Sequence, residues 1–280
     1  MHLQVFAVRR GLLKGFFGEI MGKVIAIVNQ KGGVGKTTTA VNLVAGVGNA
    51  GKKVLLIDAD PQGNSTSGYG INKRDVVFSS YDLLIGTQKA TVAVRTTTFK
   101  NVDIIPANMN LAGAEVELIS IDQREAQLKK ALVDVRDKYD YIFIDCPPSL
   151  GLITINALTA SDTLLVPIQC EYYAMEGLSQ LMSSVRQIKR LYNAGLELEG
   201  VLLTMFDARL NLTQQVVAEI KKFFAGKLYE TRIPRAVRLS EAPSYGMPIQ
   251  YYDKRSKGAK AYDELAREFI KRNKTFSGGI

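Results

Sequence analysis

A glycine-rich loop between an apolar strand and a helix constrains the fold more than any other feature of the sequence. Residues 29–40 read NQKGGVGKTTTA. The segment from Lys23 that leads into them, KVIAIVN, is apolar and β-branched, as in strands that are buried on both faces of a parallel sheet. The segment that follows, KTTTAVNLVAGVGNAG, predicts a helix that ends at Gly51. A strand, a tight turn and a helix in this order form the first unit of an α/β fold.

The same alternation continues along the chain. Further strands are predicted at KKVLLIDAD, NVDIIPA, YDYIFIDCPP, DTLLVPIQ and LEGVLLTMF. Helices are predicted at AEVELISIDQREAQLKKALVDVRDK, YAMEGLSQLMSSVRQIKRLYN, LTQQVVAEIKKFF and KGAKAYDELAREFIKRN. The predicted fold class is therefore α/β, with a doubly wound, mostly parallel β-sheet and helices on both of its faces.

No internal repeat or low-complexity linker divides the 280 residues, and we expect one domain over residues 22–273. Residues 1–21 precede the first strand and end on a second methionine, Met21. We expect them to be a disordered extension or to lie upstream of the functional start. Residues 274–280 are expected to form a C-terminal tail.

Composition argues against several classes of protein. The two cysteines, Cys146 and Cys170, are too few for a disulfide framework and too far apart for a CxxC pair. We expect them to be buried thiols in a reduced, cytoplasmic compartment. The single histidine, His2, leaves almost no material for histidine-based catalysis or zinc binding. No run reaches the ~18 apolar residues of a membrane span, so no membrane partner is expected.

The glycine-rich loop has the composition of a phosphate-binding loop. The pattern G-x-x-x-x-G-K-[ST] is completed by residues 35–37, although Gln30 occupies the position of its first glycine. Glycines let the backbone N–H groups turn toward phosphate oxygens, and the helix N-terminus adds a favourable dipole. Lys36 is expected to neutralise the β- and γ-phosphates, and the Thr37 hydroxyl to bind Mg²⁺. The residues of this loop predicted to bind the nucleotide phosphates are Gly32, Gly33, Val34, Gly35, Lys36, Thr37 and Thr38.

Aspartates stand at the ends of two predicted strands, in the same neighbourhood as this loop. Asp58 and Asp60 end the strand KKVLLIDAD, and Asp145 ends the strand YDYIFIDCPP. A single aspartate in such a position is often only a turn residue or a helix cap. Ligands of open parallel sheets bind beyond the carboxyl ends of the strands, so three aspartates beside a phosphate loop favour a role in Mg²⁺ binding and phosphoryl transfer.

The early lysine, Lys31, makes KGGVGKTT a deviant Walker A motif, and the chain resembles the ParA/Soj/MinD group of P-loop ATPases. The resemblance covers nearly all of residues 22–273. LLIDADPQGNSTSG, YIFIDCPPSLGLITINAL and IPRAVRLSEAPSYGMPI look specifically like partitioning ATPases of the ParA/Soj type. The resemblance implies a homodimer that sandwiches two ATP molecules, with Lys31 of each subunit reaching the phosphates of its partner's nucleotide.

The resemblance also implies the roles of the acidic residues. Asp60 would orient the attacking water, Asp145 would hold Mg²⁺ in part through water, and Asp58 would lie near the outer shell of the metal. The adenine would lie near Met205 and Pro234, for which ordinary packing and a turn proline are an equally good interpretation. The predicted catalytic residues are Lys31, Lys36, Asp60 and Asp145, and the predicted metal residues are Thr37, Asp60 and Asp145.

Positive charge is concentrated in the C-terminal third of the chain. The formal net charge is +9, and residues 186–280 hold 18 Lys and Arg against 10 Asp and Glu. The resemblance places Arg209 and Arg238 on a DNA-binding surface, and Arg235 and Lys257 lie nearby in sequence. Because no sequence-reading DNA-binding motif is recognisable, contacts to DNA phosphates are expected, without sequence specificity. Solvated basic loops are the alternative interpretation.

These observations predict an ATPase, weak alone, that binds double-stranded DNA in its ATP state and segregates a chromosome or plasmid. The resemblance implies a ParB-type partner that stimulates hydrolysis and a nucleoid-associated location. A MinD-like membrane ATPase is the nearest alternative, because AYDELAREFIKRNKTFSGGI has its apolar residues at helical spacing. A nitrogenase-reductase-like electron carrier would need paired cysteines that Cys146 and Cys170 do not provide.

Overall fold

The structure of the protein is a computed structural model that describes residues 22–274. The predicted extension of residues 1–21 and all of the predicted tail except Lys274 lie outside the described residues. The described strands are β1 (Lys23–Ile27), β2 (Val54–Asp58), β3 (Arg95–Thr96), β4 (Val102–Ile105), β5 (Tyr141–Asp145), β6 (Thr163–Gln169), β7 (Glu197–Phe206) and β8 (Leu228–Pro234). They form one sheet in the order β3-β4-β2-β5-β1-β6-β7-β8, in which only β3 runs antiparallel to its neighbour.

Helices connect these strands and cover both faces of the sheet. The α-helices are α1 (Lys36–Asn49), α2 (Asn64–Gly68), α3 (Ser80–Ile85), α4 (Ala90–Ala93), α5 (Leu111–Glu117), α6 (Gln127–Ala131), α7 (Leu152–Ala160), α8 (Ala174–Leu191), α9 (Asn211–Phe223), α10 (Val237–Glu241), α11 (Ile249–Tyr252) and α12 (Lys257–Asn273). Short 3-10 helices cover Lys73–Asp75, Leu118–Ser120, Arg124–Ala126, Leu132–Asp134, Arg136–Lys138 and Ala242–Tyr245. One apolar core lies between the sheet and α1 and α12, and a second lies under α3 to α9. The predicted doubly wound α/β fold is confirmed.

One local prediction is wrong, and one strand was not predicted. The segment AEVELISIDQREAQLKKALVDVRDK is not one helix, because Ile121 is extended and Gln123 has a φ of 52°, which interrupt it between α5 and α6. The interruption lets Leu118 and Leu128 both reach the core. The strand β8 was not predicted from the sequence. Only Tyr229 and Ile233 of this edge strand are buried, so the segment lacks the continuous apolar run of the central strands.

The strand register brings the functional motifs to one edge of the sheet. Within the sheet, Asp145 at the end of β5 pairs with Ile27 of β1 on one side and with Asp58 of β2 on the other. The phosphate loop after β1 and the aspartates after β2 and β5 therefore meet, as the rule for parallel sheets predicts. None of the helices within residues 22–274 is both long enough and apolar enough to cross a bilayer.

Candidate nucleotide site

The loop between β1 and α1 has the backbone conformation of an anion-binding loop. Gly33 and Gly35 have φ values of 74° and 85°, a region that side-chain-bearing residues rarely adopt. Gly35 is the N-cap of α1, and Lys36 is its first residue. A Cβ added at Gly32 or Gly33 would meet no atom within 4 Å, so the backbone is open to an approaching ligand. The N–H groups of this loop and the positive end of α1 can thus be shared by one phosphate chain.

Lys36 lies inside this loop. Its side chain is buried, and its Nζ donates a hydrogen bond to the backbone oxygen of Lys31 at 3.0 Å. Burial lowers the pKa of the Lys36 ammonium, while the nearby Asp145, Cys146 and Asp60 oppose that change. A phosphate in the loop would supply the negative charge that a buried ammonium requires.

Asp145 is fully buried and only half satisfied. The Ser65 hydroxyl donates to Asp145 Oδ2 at 2.8 Å, whereas Oδ1 has no hydrogen-bond partner within the described part of the chain. Burial raises the pKa of Asp145 to about 7, and Asp58 adds to the effect. The Ser65 hydroxyl opposes this rise, as does the hydroxyl of Thr37, which lies near Asp145 without forming a hydrogen bond to Oδ1. A buried carboxylate oxygen with a spare lone pair, next to a threonine hydroxyl, suits the hydrated shell of Mg²⁺. No cluster of three acidic, histidine or cysteine side chains forms an all-protein metal cage among residues 22–274.

Asp58 differs from Asp145, although the two end neighbouring strands. Its Oδ2 accepts hydrogen bonds from the backbone N–H and the hydroxyl of Thr66, at 2.8 and 2.7 Å, and its Oδ1 accepts one from the backbone N–H of Asp60 at 3.2 Å. Burial raises the pKa of Asp58 to about 6, and the donors from Thr66 oppose this rise. Both oxygens of Asp58 thus hold the segment that begins at Asp60.

Asp60 lies at the start of the segment that leads from β2 to α2. It is buried, and its Oδ1 accepts a hydrogen bond from the backbone N–H of Gln62 at 2.9 Å. Its charge acts on both Lys36 and Asp145. The structure therefore brings Lys36, Asp58, Asp60 and Asp145 together around one loop, as the sequence predicts.

A cleft of about 350 Å³ adjoins the phosphate loop and contains both predicted adenine residues. Met205 lies near the end of β7 and has a φ of 47°, which is unusual for a residue other than glycine, and Pro234 ends β8. The Thr204 hydroxyl donates to the backbone oxygen of Val34 at 2.8 Å and so joins β7 to the phosphate loop. The cleft is lined by Gly35, Thr38, Thr204, Met205, Ile233, Pro234, Arg235, Ala236, Val237, Leu239, Ser240 and Tyr262. Its position beside the first turn of α1 suits a nucleoside attached to phosphates in the loop.

Lys31 is partly exposed, in contrast to the buried Lys36. Its side chain is 49% exposed and forms an ion pair with the half-exposed Glu171, which follows β6. Exposed ion pairs are weak, so this contact can be exchanged for another anion at low cost.

The four residues predicted to bind DNA have different surroundings. Arg209 is 89% exposed and pairs with Asp207 at 2.6 Å. Arg238 pairs with Glu241 at 2.8 Å and approaches Asp253 at 3.7 Å. Arg235 lines the cleft beside Pro234, and Lys257 is the exposed first residue of α12.

Three hydroxyl residues of the site, Ser65, Thr66 and Thr204, were not predicted from the sequence. The first two lie in the motif LLIDADPQGNSTSG, and Thr204 directly precedes Met205. Thr66 binds Asp58 of the same motif, whereas Ser65 binds Asp145, which lies 80 residues later in the sequence. The sequence signal for these residues was a hydroxyl side chain within a functional motif. The partners of the hydroxyls are decided only by the packing of α2 and β7.

Comparison with known proteins identifies the family. The profile of a family described as an AAA domain matches residues 22–198. The sporulation initiation inhibitor protein Soj of Bacillus subtilis is 60% identical over 248 residues, which cover 89% of this chain and 98% of Soj. The chromosome partitioning protein ParA of Myxococcus xanthus is 48% identical over 270 residues, which cover 95% of each chain.

The chain belongs to the ParA/Soj family of partitioning ATPases. This confirms the resemblance predicted from the motifs, and the family activity is ATP hydrolysis. Among solved structures, cobyrinic acid a,c-diamide synthase of Mycobacterium smegmatis with bound ADP and magnesium has a TM-score of 0.80 at 34% identity, covering 91% of this chain and 97% of that one. The cell division ATPase MinD of Pyrococcus furiosus has a TM-score of 0.74 at 27% identity, covering 90% and 99%. These neighbours confirm the P-loop fold of this ParA/Soj family member.

Proposed function

We propose that the protein is an ATP-dependent dimeric switch that binds DNA without sequence specificity and is reset by hydrolysis. The observation that carries the proposal is the different placement of two lysines in one loop. Lys36 is buried within the loop, whereas Lys31 is half exposed and pairs with Glu171. One lysine is thus available to the subunit's own nucleotide, and the other is available to a nucleotide held by a second subunit.

The residues of the site support binding of ATP with Mg²⁺. Lys36 and the loop N–H groups would hold the phosphates, Thr37 and Asp145 would hold the metal in part through water, and the cleft at Met205 and Pro234 would take the adenine. Mg²⁺, when bound, offsets the charge of the β- and γ-phosphates. Asp60 would orient the attacking water, a positioning role that requires no strong base.

Dimerisation would follow from the charge of the nucleotides. Two subunits that meet face to face at two triphosphates repel each other unless further cations are supplied at the interface. Lys31 can supply such a cation by leaving Glu171, an exposed partner that holds it weakly. Loss of the γ-phosphate on hydrolysis would remove part of the attraction and release the dimer.

The basic C-terminal third would supply the DNA surface. Arg209 and Arg238 are exposed, and Arg235 and Lys257 are the further candidates. A dimer doubles the number of phosphate contacts, and each phosphate neutralised steepens the salt dependence of binding by about 0.9 in log–log slope. We propose in addition that a ParB-type protein stimulates hydrolysis and that the ATP form is associated with the nucleoid.

Binding to plasmid DNA in ATP, in ADP and without nucleotide tests this proposal. We expect tight binding only with ATP, and we expect Arg238→Glu to abolish it. Lys129→Glu, which makes the same change of charge at an exposed position of α6, is the control and should bind normally. Equal affinity of the ATP and ADP forms at physiological salt would refute the switch. Sedimentation with anionic liposomes but not with DNA would replace it by a membrane-bound ATPase.

A further inference from the structure

A buried serine connects the metal side of the site to the segment that carries Asp60. Ser65 lies in α2, is completely buried, and donates its hydroxyl proton to Asp145 Oδ2 at 2.8 Å, across 80 residues of sequence. Serine hydroxyls near a helix start usually cap that helix. Here the N-cap is Gly63 and no side chain caps α2, so the Ser65 hydroxyl is committed to Asp145 and not to its own helix.

The neighbouring contact of Thr66 shows by contrast what is special about Ser65. Thr66 and the backbone N–H of Asp60 together donate to both oxygens of Asp58, so neither oxygen of that carboxylate lacks a hydrogen-bond partner. Ser65 occupies only one oxygen of Asp145, and the other oxygen remains buried without a partner among residues 22–274. A carboxylate held at one oxygen cannot rotate freely, so its second oxygen keeps a fixed direction.

We propose that Ser65 is a positioning residue that orients Asp145 so that Oδ1 faces the hydrated Mg²⁺ of the nucleotide. This inference rests on the proposed nucleotide and metal site. Hydrogen bonds to metal-side carboxylates fix their orientation, and their loss typically lowers metal affinity by 10- to 100-fold. Because α2 has only five residues and would not be stable alone, the same hydrogen bond also anchors the segment that follows Asp60.

The test is a Mg²⁺ titration of the binding of a fluorescent ADP analogue to the full chain. Ser65→Ala should raise the half-saturating Mg²⁺ concentration by about tenfold, while nucleotide affinity in EDTA changes by less than about twofold. Ser67→Ala is the matched control, because it makes the same substitution in the same helix. Among the described residues the Ser67 hydroxyl donates only to Gly63 O, at 3.3 Å, and its loss should leave the Mg²⁺ midpoint unchanged.

An unchanged Mg²⁺ midpoint in a folded Ser65→Ala variant would overturn the role of Ser65. Equal losses of affinity with Mg²⁺ and in EDTA would also overturn it, since they would indicate a general structural role. Should Ser65→Ala fail to fold, Ser65→Cys retains a side chain of similar shape with a weaker donor and should shift the midpoint in the same direction; no shift would again overturn the role. Absence of any Mg²⁺ dependence in the unmutated chain would instead refute the proposed metal site.

Discussion

Replacement of Asp145 by asparagine should stabilise the metal-free protein although it removes a carboxylate that we propose to bind Mg²⁺. Asp145 is fully buried at the end of β5, Oδ1 has no partner within residues 22–274, and Asp58 adds a second carboxylate next to it. An ionised group in this environment is unfavourable unless a cation is bound. Asp145→Asn keeps the shape of the side chain and removes the charge.

The magnitude follows from the pKa of Asp145, which burial raises from 3.8 to about 7. Below pH 3.8 the carboxyl is neutral in the folded and unfolded states, and its burial carries no ionic penalty. As the pH rises toward 7 the unfolded state ionises first, so stability falls, and above pH 7 the penalty reaches about 4 kcal/mol at about 1.4 kcal/mol per pH unit. The amide of asparagine would leave one N–H group unpaired, at a cost of about 1 to 2 kcal/mol. The net gain is therefore about 2 kcal/mol at pH 8 and close to zero at pH 5.

Thermal unfolding in EDTA without nucleotide, followed by circular dichroism from pH 5 to pH 8, measures this gain. For a chain of this size, about 2 kcal/mol corresponds to a rise in Tm of about 5 °C. Asp134→Asn removes the same charge from an exposed position in the 3-10 helix Leu132–Asp134, and it should leave Tm unchanged. A buried ionic penalty at Asp145 is excluded if Asp145→Asn melts no higher than the unmutated protein at pH 8, or if its advantage in Tm does not shrink at pH 5.

Three further predictions concern other parts of the structure. Lys31→Ala should bind ATP with nearly unchanged affinity but remain monomeric in analytical ultracentrifugation, and an ATP-dependent dimer would disprove the trans role of Lys31. Asp60→Ala should bind ATP and dimerise while turnover falls by at least about 100-fold in a phosphate-release assay, as expected when water positioning is lost; unchanged turnover would remove Asp60 from the mechanism. Gly246→Ala should destabilise the protein by clearly more than the ~1 kcal/mol expected from backbone strain alone, because its Cβ would lie 2.5 Å from Gly70 Cα. Gly86→Ala, with a similar φ of 79° and no atom within 4 Å, is the control in urea unfolding, and equal losses would contradict the steric argument.

The central part of the fold could be predicted because its strands are buried on both faces. Such strands are continuous apolar runs, as in KVIAIVN and VLLID, and their pattern needs no knowledge of neighbouring elements. Strand β8 is different, since it is an edge strand whose pairing with β7 contains an irregular register, and its burial depends on α12. The break between α5 and α6 was not predicted either. Apolar residues at helical spacing fit one long helix and also fit two short helices separated by an extended Ile121.

The site could be predicted as a set of residue types but not as a set of hydrogen bonds. The predicted strand ends indicated that Asp58, Asp60 and Asp145 lie near the phosphate loop. They did not indicate which carboxylate keeps an unpaired oxygen. That choice depends on two consecutive hydroxyl residues, since Thr66 saturates one oxygen of Asp58 and Ser65 leaves Asp145 half satisfied. Their directions are set by the packing of α2, a five-residue helix whose following residue, Tyr69, donates its hydroxyl to Val41 O of α1 at 2.8 Å. If Asp145 holds Mg²⁺ as proposed, its orientation depends in part on the contact between Tyr69 and α1, which no local pattern in the motif encodes.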